Sequence, residues 1–470
     1  MNRKIIIFGY GYYGKCAYEV LKDRYEVLAF VDNNHSYHGK IHDGKEVLGA
    51  SILTKIDLST TDIIICSKYY YQIAEQLINI GVIDYYVMLE GMLYHSNQHE
   101  TMIPVEISNE NCYKRTNDRK NIVFAQNAVC IRTNRLAQIM KELGYTVHLL
   151  YTLAPISDAY SEYKKVYDYQ WYFSSVDGIR KFVESSDFDI VHCSNEPDIL
   201  ANILRKTNKP VVFDTHDMQS IRSNVGIDTL VLEYLANTKS NGNIYASQNV
   251  EIIASAKYGL QNMPLYSIDN LVMDEVVIEK PYEKISKVDG AIHCVYEGGV
   301  VGENKEHHRY FDDMWKKITA AGIHIHFYSQ SELCDCKRLE SLSELIHYEG
   351  NAGGEKLILE MTKYDCGLAL FNSNYGNRLH LESTSINKVY EYINAGLPIV
   401  SSGIASLSNM VTKYKVGDEI DYDADIKKQI EDISKIKIEK GFLTNNKLTI
   451  RSHADEIMSF YEKVIERSQK

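Results

Sequence analysis

Short runs of aliphatic residues alternate along this chain with stretches whose apolar positions recur every three or four residues. The first pattern predicts strands buried on both faces and the second predicts helices laid against them. Strands alternating with helices predict parallel sheets, hence an α/β fold. Residues 1–92 form a first unit: KIIIF, YEVLAFVD, DIIICS and YYVML read as strands, KCAYEVLK and YYYQIAEQLINIG as helices. Residues 93–120, HSNQHETMIP through CYKRTNDRK, lose the periodicity and read as a linker. A second alternating unit spans 121–285, with strands NIVFA, TVHLLY, FDIVHCS, KPVVFDTHD and IYASQ and helices TNRLAQIMKELGY, PDILANILRKT and EIIASAKYGL. A third spans 286–445: the strands AIHCVYEGG, IHIHFYS, LIHYEGN and CGLALFN, helices through DDMWKKITAAG and EKLILEMTKY, then INKVYEYINAGLPIV at 386–400. Residues 446–470 carry helical periodicity to the end. Two α/β units of similar size thus stand in tandem behind a smaller one, with no short repeat.

Composition narrows the partners. A chain of 470 residues, 45% hydrophobic and 24% charged with seven prolines, has the make-up of a folded protein with a large core. Its net charge of -12 argues against nucleic acid, because no basic field is available to displace phosphate counterions. KRTNDRK at 114–120 is a local exception, read as a solvated linker over a phosphate or membrane patch. Nine scattered cysteines and no leader ahead of MNRKIIIFGYG point to a reducing cytoplasm. Cys334 and Cys336 make a lone CxC without a second pair at zinc spacing, so they read as ordinary thiols. No apolar run approaches a membrane span, which leaves contact with a membrane surface open. The 36 tyrosines have no functional reading.

The chemistry gathers at strand ends, where open α/β sheets bind ligands. In 386–400 a helix and a strand enclose Lys388 and, three residues on, Glu391, on neighbouring positions of one face. Ser383, Thr384 and Ser385 stand where an N-cap belongs, so the first-turn amides would form an anion site. Gly396 allows a left-handed cap and Pro398 stops the helix. Gly298 and Gly299 end the strand AIHCVYE, where small residues let the backbone approach a pyrophosphate; Lys305 and Arg309 follow as neutralising cations. At the N-terminus, Gly9, Gly11 and Gly14 have dinucleotide-loop spacing after a strand, with Asp32 ending the next strand.

INKVYEYINAGLPIV resembles the donor-site segment of GT-B glycosyltransferases, in particular glycosyltransferase family 4. The resemblance implies two Rossmann-like parallel-sheet domains facing a cleft, an acceptor-side domain at 121–285 and a donor-binding domain at 286–445, with the 446–470 helix packing back on the acceptor side. It implies that Glu391 binds the ribose hydroxyls of a nucleotide sugar, that Gly298, Gly299, Lys305 and Arg309 meet the diphosphate, and that Gly350 and Asn351 lie beside the base. His216, after PVVFDT, matches a histidine facing the donor sugar; an ordinary strand-end histidine bonded to backbone is the alternative. Many members carry a second glutamate seven or eight residues before the first; here Ser383 stands eight before, beside Glu382, which leaves sugar-ring recognition open. The loop AQNAVCIRTNR lacks the family's frequent glycine pair. The first ninety residues resemble the small nucleotide-binding domain of bacterial amino-sugar acyltransferases.

The implied function is a cytoplasmic bacterial glycosyltransferase, retaining and independent of metal. It would move a sugar from a nucleoside diphosphate sugar to a glycan or lipid-linked acceptor in surface polysaccharide or glycoconjugate synthesis. His216 and Glu391 are the catalytic candidates, and no side-chain nucleophile is assigned. A nucleotide bound in the front domain is a further expectation. The alternatives are a sugar-nucleotide oxidoreductase or epimerase acting through that domain, and a non-catalytic GT-B binding protein.

Overall fold

Strands that are apolar at every position need cover on both faces, and the chain answers with three sheets. The computed structural model describes residues 4–89, 92–95, 112–127, 129–152, 165–173, 176–195, 198–222, 225–302, 304–373 and 376–469; most of the expected linker, 96–111, lies outside them. The first sheet holds β1 (Lys4–Phe8), β2 (Glu26–Val31), β3 (Ile41–His42), β4 (Lys45–Leu48), β5 (Thr61–Ile65), β6 (Tyr86–Leu89) and β7 (Met92–His95), in the order β3-β4-β2-β1-β5-β6-β7. Its centre is parallel and its two edge pairs, β3–β4 and β6–β7, are antiparallel. The second holds β8 (Asn121–Gln126), β9 (Thr146–Tyr151), β10 (Tyr169–Tyr172), β11 (Ile190–Ser194), β12 (Val211–Thr215), β13 (Gly242–Tyr245) and β14 (Leu265–Ser267), ordered β10-β9-β8-β11-β12-β13-β14. The third holds β15 (His293–Glu297), β16 (His324–Tyr328), β17 (Ile346–Tyr348), β18 (Cys366–Ala369), β19 (Ile399–Ser401) and β20 (Gly417–Glu419), ordered β17-β16-β15-β18-β19-β20 and parallel throughout.

The chain divides into two compact units. One contains Met1–Asp214, Tyr234–Asn243 and Met458–Lys470; the other contains Thr215–Glu233 and Ile244–Ile457. In the first unit, the end of the expected linker is exposed at 114–120, as the sequence implied, and is also anchored. Tyr113 is buried and stacks on Phe188 at 5.7 Å, and Arg115 pairs with Asp189 at 2.6 Å. The last helix, Ala454–Ser468, meets the second sheet through a hydrogen bond between Tyr461 and His192 Nδ1 at 2.8 Å, and Glu462 pairs with Lys120 at 3.0 Å. β10 and the helices Val176–Ser185 and Ile227–Lys239 were not anticipated. The strand is a four-residue aromatic run, YQWY, too short to show a period.

The second unit is built around an aromatic core under β15 and β16, where Trp315 stacks on Phe311 at 5.3 Å beside buried Tyr296 and Phe327. Against β18 lies the helix Asn387–Asn394. Its position is set by Tyr392, fully buried, whose hydroxyl donates to the Leu368 carbonyl at 3.1 Å and accepts from the Glu297 amide at 3.0 Å. The ring occupies the place where residue 367 would carry a Cβ, so only glycine fits there. Gly396, at φ 74°, and the amide of Leu397 bonded to the Tyr392 carbonyl at 2.9 Å close the helix. Gly367→Ala should therefore cost about 1–3 kcal/mol by overpacking. Urea unfolding should show that loss, while Gly353→Ala, where a Cβ meets nothing, stays within about 0.5 kcal/mol.

Candidate functional site

The carboxyl ends of three adjacent strands of the third sheet surround a cavity of about 370 Å³. β15 contributes Gly298 and Gly299, the segment after β16 contributes Ser329 and Ser331, and the segment after β17 contributes Asn351. Gly298 has φ 125°, a conformation that L side chains rarely adopt, and its amide donates to the Tyr328 carbonyl at 3.1 Å. A Cβ on Gly298 would stand 3.4 Å from Lys388 Nζ. The bare turn thus lets the ammonium come up directly behind the backbone at the cavity's edge.

Lys388 belongs to the first turn of the helix Asn387–Asn394 and is only 8% exposed. Its ammonium lies 3.9 Å from the centroid of Tyr296 and 5.2 Å from that of Phe371, held by two aromatic faces. Burial drives its pKa down to about 7, with Glu297 pulling it back up, Arg309 pushing further down and Glu391 again raising it. A lysine poised at neutrality in a dry aromatic box is short of negative charge. His308, half-buried nearby, is held neutral with a pKa of about 3, by burial first and then by His307, Arg309, His380 and Lys388.

The segment expected to cap this helix does something else. Arg378–Ser383 forms its own short helix, and the residue preceding Asn387 is Ile386, which offers no capping side chain. Ser383 is buried, and its hydroxyl donates to the Leu379 carbonyl at 2.8 Å. Ser247 donates to the Ser383 carbonyl, and Ser385 Oγ accepts from the Asn270 amide at 2.9 Å. The three hydroxyl residues therefore pin the loop within this unit. Thr384 donates to Asp217 Oδ1 at 3.4 Å, and Arg222 pairs with the same carboxylate. Burial raises the Asp217 pKa, but Arg222, His380 and His216 more than offset it and hold the carboxylate ionised. His216, half-buried, is thereby brought next to the segment that leads into the Lys388 helix.

Gly298, Gly299, Arg309 and Asn351 line one cavity, with Lys388 behind it. Gly350, at φ 84°, supports the same rim, its carbonyl accepting from the Ser329 amide at 3.0 Å. Glu391 is half-buried and close enough to act on Lys388, whereas Lys305 is exposed on the loop before Arg309. Sequence reasoning missed Glu297, which ends the strand YEGG, and Asp217, which follows His216. It also missed the aromatic box of Tyr296 and Phe371, whose members are far apart in sequence. In the first unit Arg132, in the first turn of the helix Ile131–Glu142 where the glycine pair is lacking, is buried and grips Asp214 with two nitrogens at 3.0 Å. At the front, Gly9 has φ 119° and a Cβ on Gly14 would overlap the Gly9 carbonyl, so the loop packs as a tight strand-to-helix turn. Gly11 precedes the helix Tyr12–Leu21, and Asp32 accepts from the amides of Tyr10 and Asn34, both at 2.7 Å.

Residues 1–88 match the family model described as C2185-like, N-terminal. A comparison with curated proteins finds no match. Among solved structures, a glycosyltransferase from Rickettsia africae is similar over 74% of this chain and 99% of its own, with a TM-score of 0.53 and 12% identity. Anabaena Alr3699/HepE, in complex with UDP and glucose, is similar over 74% of this chain and 99% of its own, with a TM-score of 0.49 and 14% identity. AviGT4, involved in avilamycin A biosynthesis, covers 74% of this chain and 98% of its own at 0.44 and 14%. The Rickettsia likeness speaks to the fold, which is the GT-B architecture preceded by an N-terminal sheet domain.

The depressed Lys388 pKa carries a stability prediction. Its folded value, about 7, lies below the ordinary lysine value of 10.5, so the unfolded chain binds the extra proton between those limits. This group's contribution to stability is thus complete above pH 10.5 and is lost as pH falls to about 7. Lys388→Met removes a buried charge and keeps the aromatic contacts, so it should stabilise the protein by about 1–4 kcal/mol near pH 6.5. The gap should close toward pH 10, as read by urea unfolding of both proteins across the series.

Proposed function

We propose that this chain is a glycosyltransferase that moves a sugar from a nucleoside diphosphate sugar to a glycan or lipid-linked acceptor, with retention, in bacterial surface glycan assembly. The observation that carries the reading is the buried Lys388 ammonium behind the Gly298 turn, beside a cavity that also receives Arg309. A diphosphate there supplies the negative charge that the box lacks. As the glycosyl bond breaks, charge develops on the leaving phosphate, and fixed cations in a low-dielectric site stabilise it. Lys388 fills that role from the buried side without a metal, and Arg309 at the exposed rim and Lys305 add solvated charge. Glu391, three residues along the same helix face, accepts from both ribose hydroxyls; Gly350 and Asn351 flank the base. His216, next to Asp217, faces the donor sugar.

The front domain supports a second nucleotide reading. Its Gly9-Gly11-Gly14 turn leaves a helix start without a side-chain cap, the place where a phosphate binds in such loops. Each Asp32 oxygen accepts one backbone amide and keeps capacity for a ribose diol. We assign this domain nucleotide or nucleotide-sugar binding, with assembly as the alternative role.

A thermal-shift screen of the whole chain against UDP-, GDP-, CMP- and ADP-linked sugars and nicotinamide cofactors tests the reading. One sugar nucleotide at a hundred times its Kd should stabilise the protein by about 2.7 kcal/mol. Glu391→Ala, which removes hydrogen bonds to a charged acceptor, should weaken that binding by roughly 10- to 100-fold. Stabilisation by a nicotinamide cofactor alone, abolished by substitution at Gly11, moves the chemistry to the front domain.

A further inference from the structure

The run IHIHFY places His324 and His326 on one face of β16 and Ile325 and Phe327 on the other. Ile325 and Phe327 join the core with Cys294 and Tyr296. The opposite face carries imidazoles from three neighbouring strands in register: His293 is paired with His324, and His326 with His347. The rings stack, with centroids 4.5 Å apart for His293 and His324 and 4.6 Å for His326 and His347.

Carboxylates constrain the tautomers of His293 and His326, while His324 Nδ1 lies 2.9 Å from His347 Nε2. His293 Nε2 lies 3.0 Å from Asp289 Oδ2, and His326 Nδ1 lies 2.7 Å from Glu349 Oε1. Ionised carboxylates only accept, so each imidazole commits its N–H to its carboxylate. The inner nitrogens, His293 Nδ1 and His326 Nε2, then present lone pairs to each other across 2.9 Å. Two facing lone pairs need a cation between them. A ring nitrogen of His324 lies close by, all three ligand atoms falling within 4.8 Å of one another.

We propose that His293, His324 and His326 form a binding site for a divalent transition-metal ion, with Asp289 and Glu349 orienting two of the three ligands. A carboxylate on the far nitrogen is the usual support of a metal-bound histidine, and imidazole donors suit Zn²⁺, Ni²⁺ and Cu²⁺. Zinc–nitrogen bonds of about 2.0 Å place tetrahedral ligands about 3.3 Å apart, so the inner pair opens by a few tenths of an ångström while His324 closes in. A doubly charged ion balances the two carboxylates. His293 and His324 begin their strands, so the site sits at the opposite end of the sheet from Gly298 and Ser329. It ties β15 to β16 and reaches β17 through Glu349, which directly precedes Gly350 and Asn351. The metal is thus structural, distinct from the transfer chemistry, and the site stands whether or not sugar transfer is correct.

The whole chain, stripped with chelator, should bind one equivalent of Zn²⁺ by calorimetry with a rise in melting temperature. Glu349→Gln, at a partly exposed position, should weaken binding about 10- to 100-fold, and His293→Gln and His326→Gln should abolish it. Co²⁺ in the unaltered protein should give an absorption spectrum of tetrahedral nitrogen ligation, a readout that needs no variant to fold. A flat titration with Zn²⁺, Ni²⁺ and Cu²⁺, or binding unchanged by all three substitutions, overturns the proposal and leaves a shared proton between the rings.

Discussion

The cavity end of the third sheet depends on one buried ammonium. Lys388 sits against Tyr296 and Phe371 with almost no access to water. Burial of a cation in such a place is costly and outweighs the pull of Glu297 and Glu391, which brings its pKa down to about 7. What surrounds it follows from that constraint. Gly298, at φ 125°, holds a backbone conformation that L side chains rarely adopt directly before the ammonium, and Tyr392 fixes the helix that bears it through the Glu297 amide. Gly367 leaves room for that tyrosine. Strain of this sort, kept at a strand end beside a cavity, fits a site that awaits an anion.

The local parts of this arrangement were legible in the sequence. The helix and stop of INKVYEYINAGLPIV, the spacing of Lys388 and Glu391 and the glycines after β15 depend on near neighbours, and their elements stand where the pattern put them. The capping segment was misread because a run of hydroxyl residues before a helix is the ordinary N-cap signal. Here tertiary bonds from Ser247 and Asn270 claim that segment, and Arg378–Ser383 turns into a helix of its own. The aromatic box and the Asp217 contacts join residues tens of positions apart, so no local pattern announced them. The histidines of IHIHFY were read as strand positions only, since their partners come from β15 and β17.

The two ends of the third sheet then have separate tasks. At the carboxyl ends, glycines and small polar residues leave space and cations lie behind them. Toward the amino ends, the imidazoles and Asp289 link β15 to β16, and Glu349 reaches His326 from the far end of β17. Strand alternation makes both possible, because Ile325 and Phe327 keep the core side apolar while His324 and His326 face the other way. The front domain repeats the glycine-turn logic with a tighter turn, and its matched family model ends at residue 88, close to the end of β6.

The claim that Lys388 is held in readiness for a diphosphate is tested most directly by proton linkage. Calorimetric titration of the whole chain at pH 8 with the nucleotide sugar that binds, repeated in buffers of different ionisation enthalpy, counts protons exchanged on binding. With a free pKa of about 7, Lys388 is largely neutral at that pH, and a bound diphosphate restores its charge. The account predicts uptake of close to one proton, absent in Lys388→Met. Binding without proton uptake would contradict it, and would place the diphosphate away from the buried ammonium.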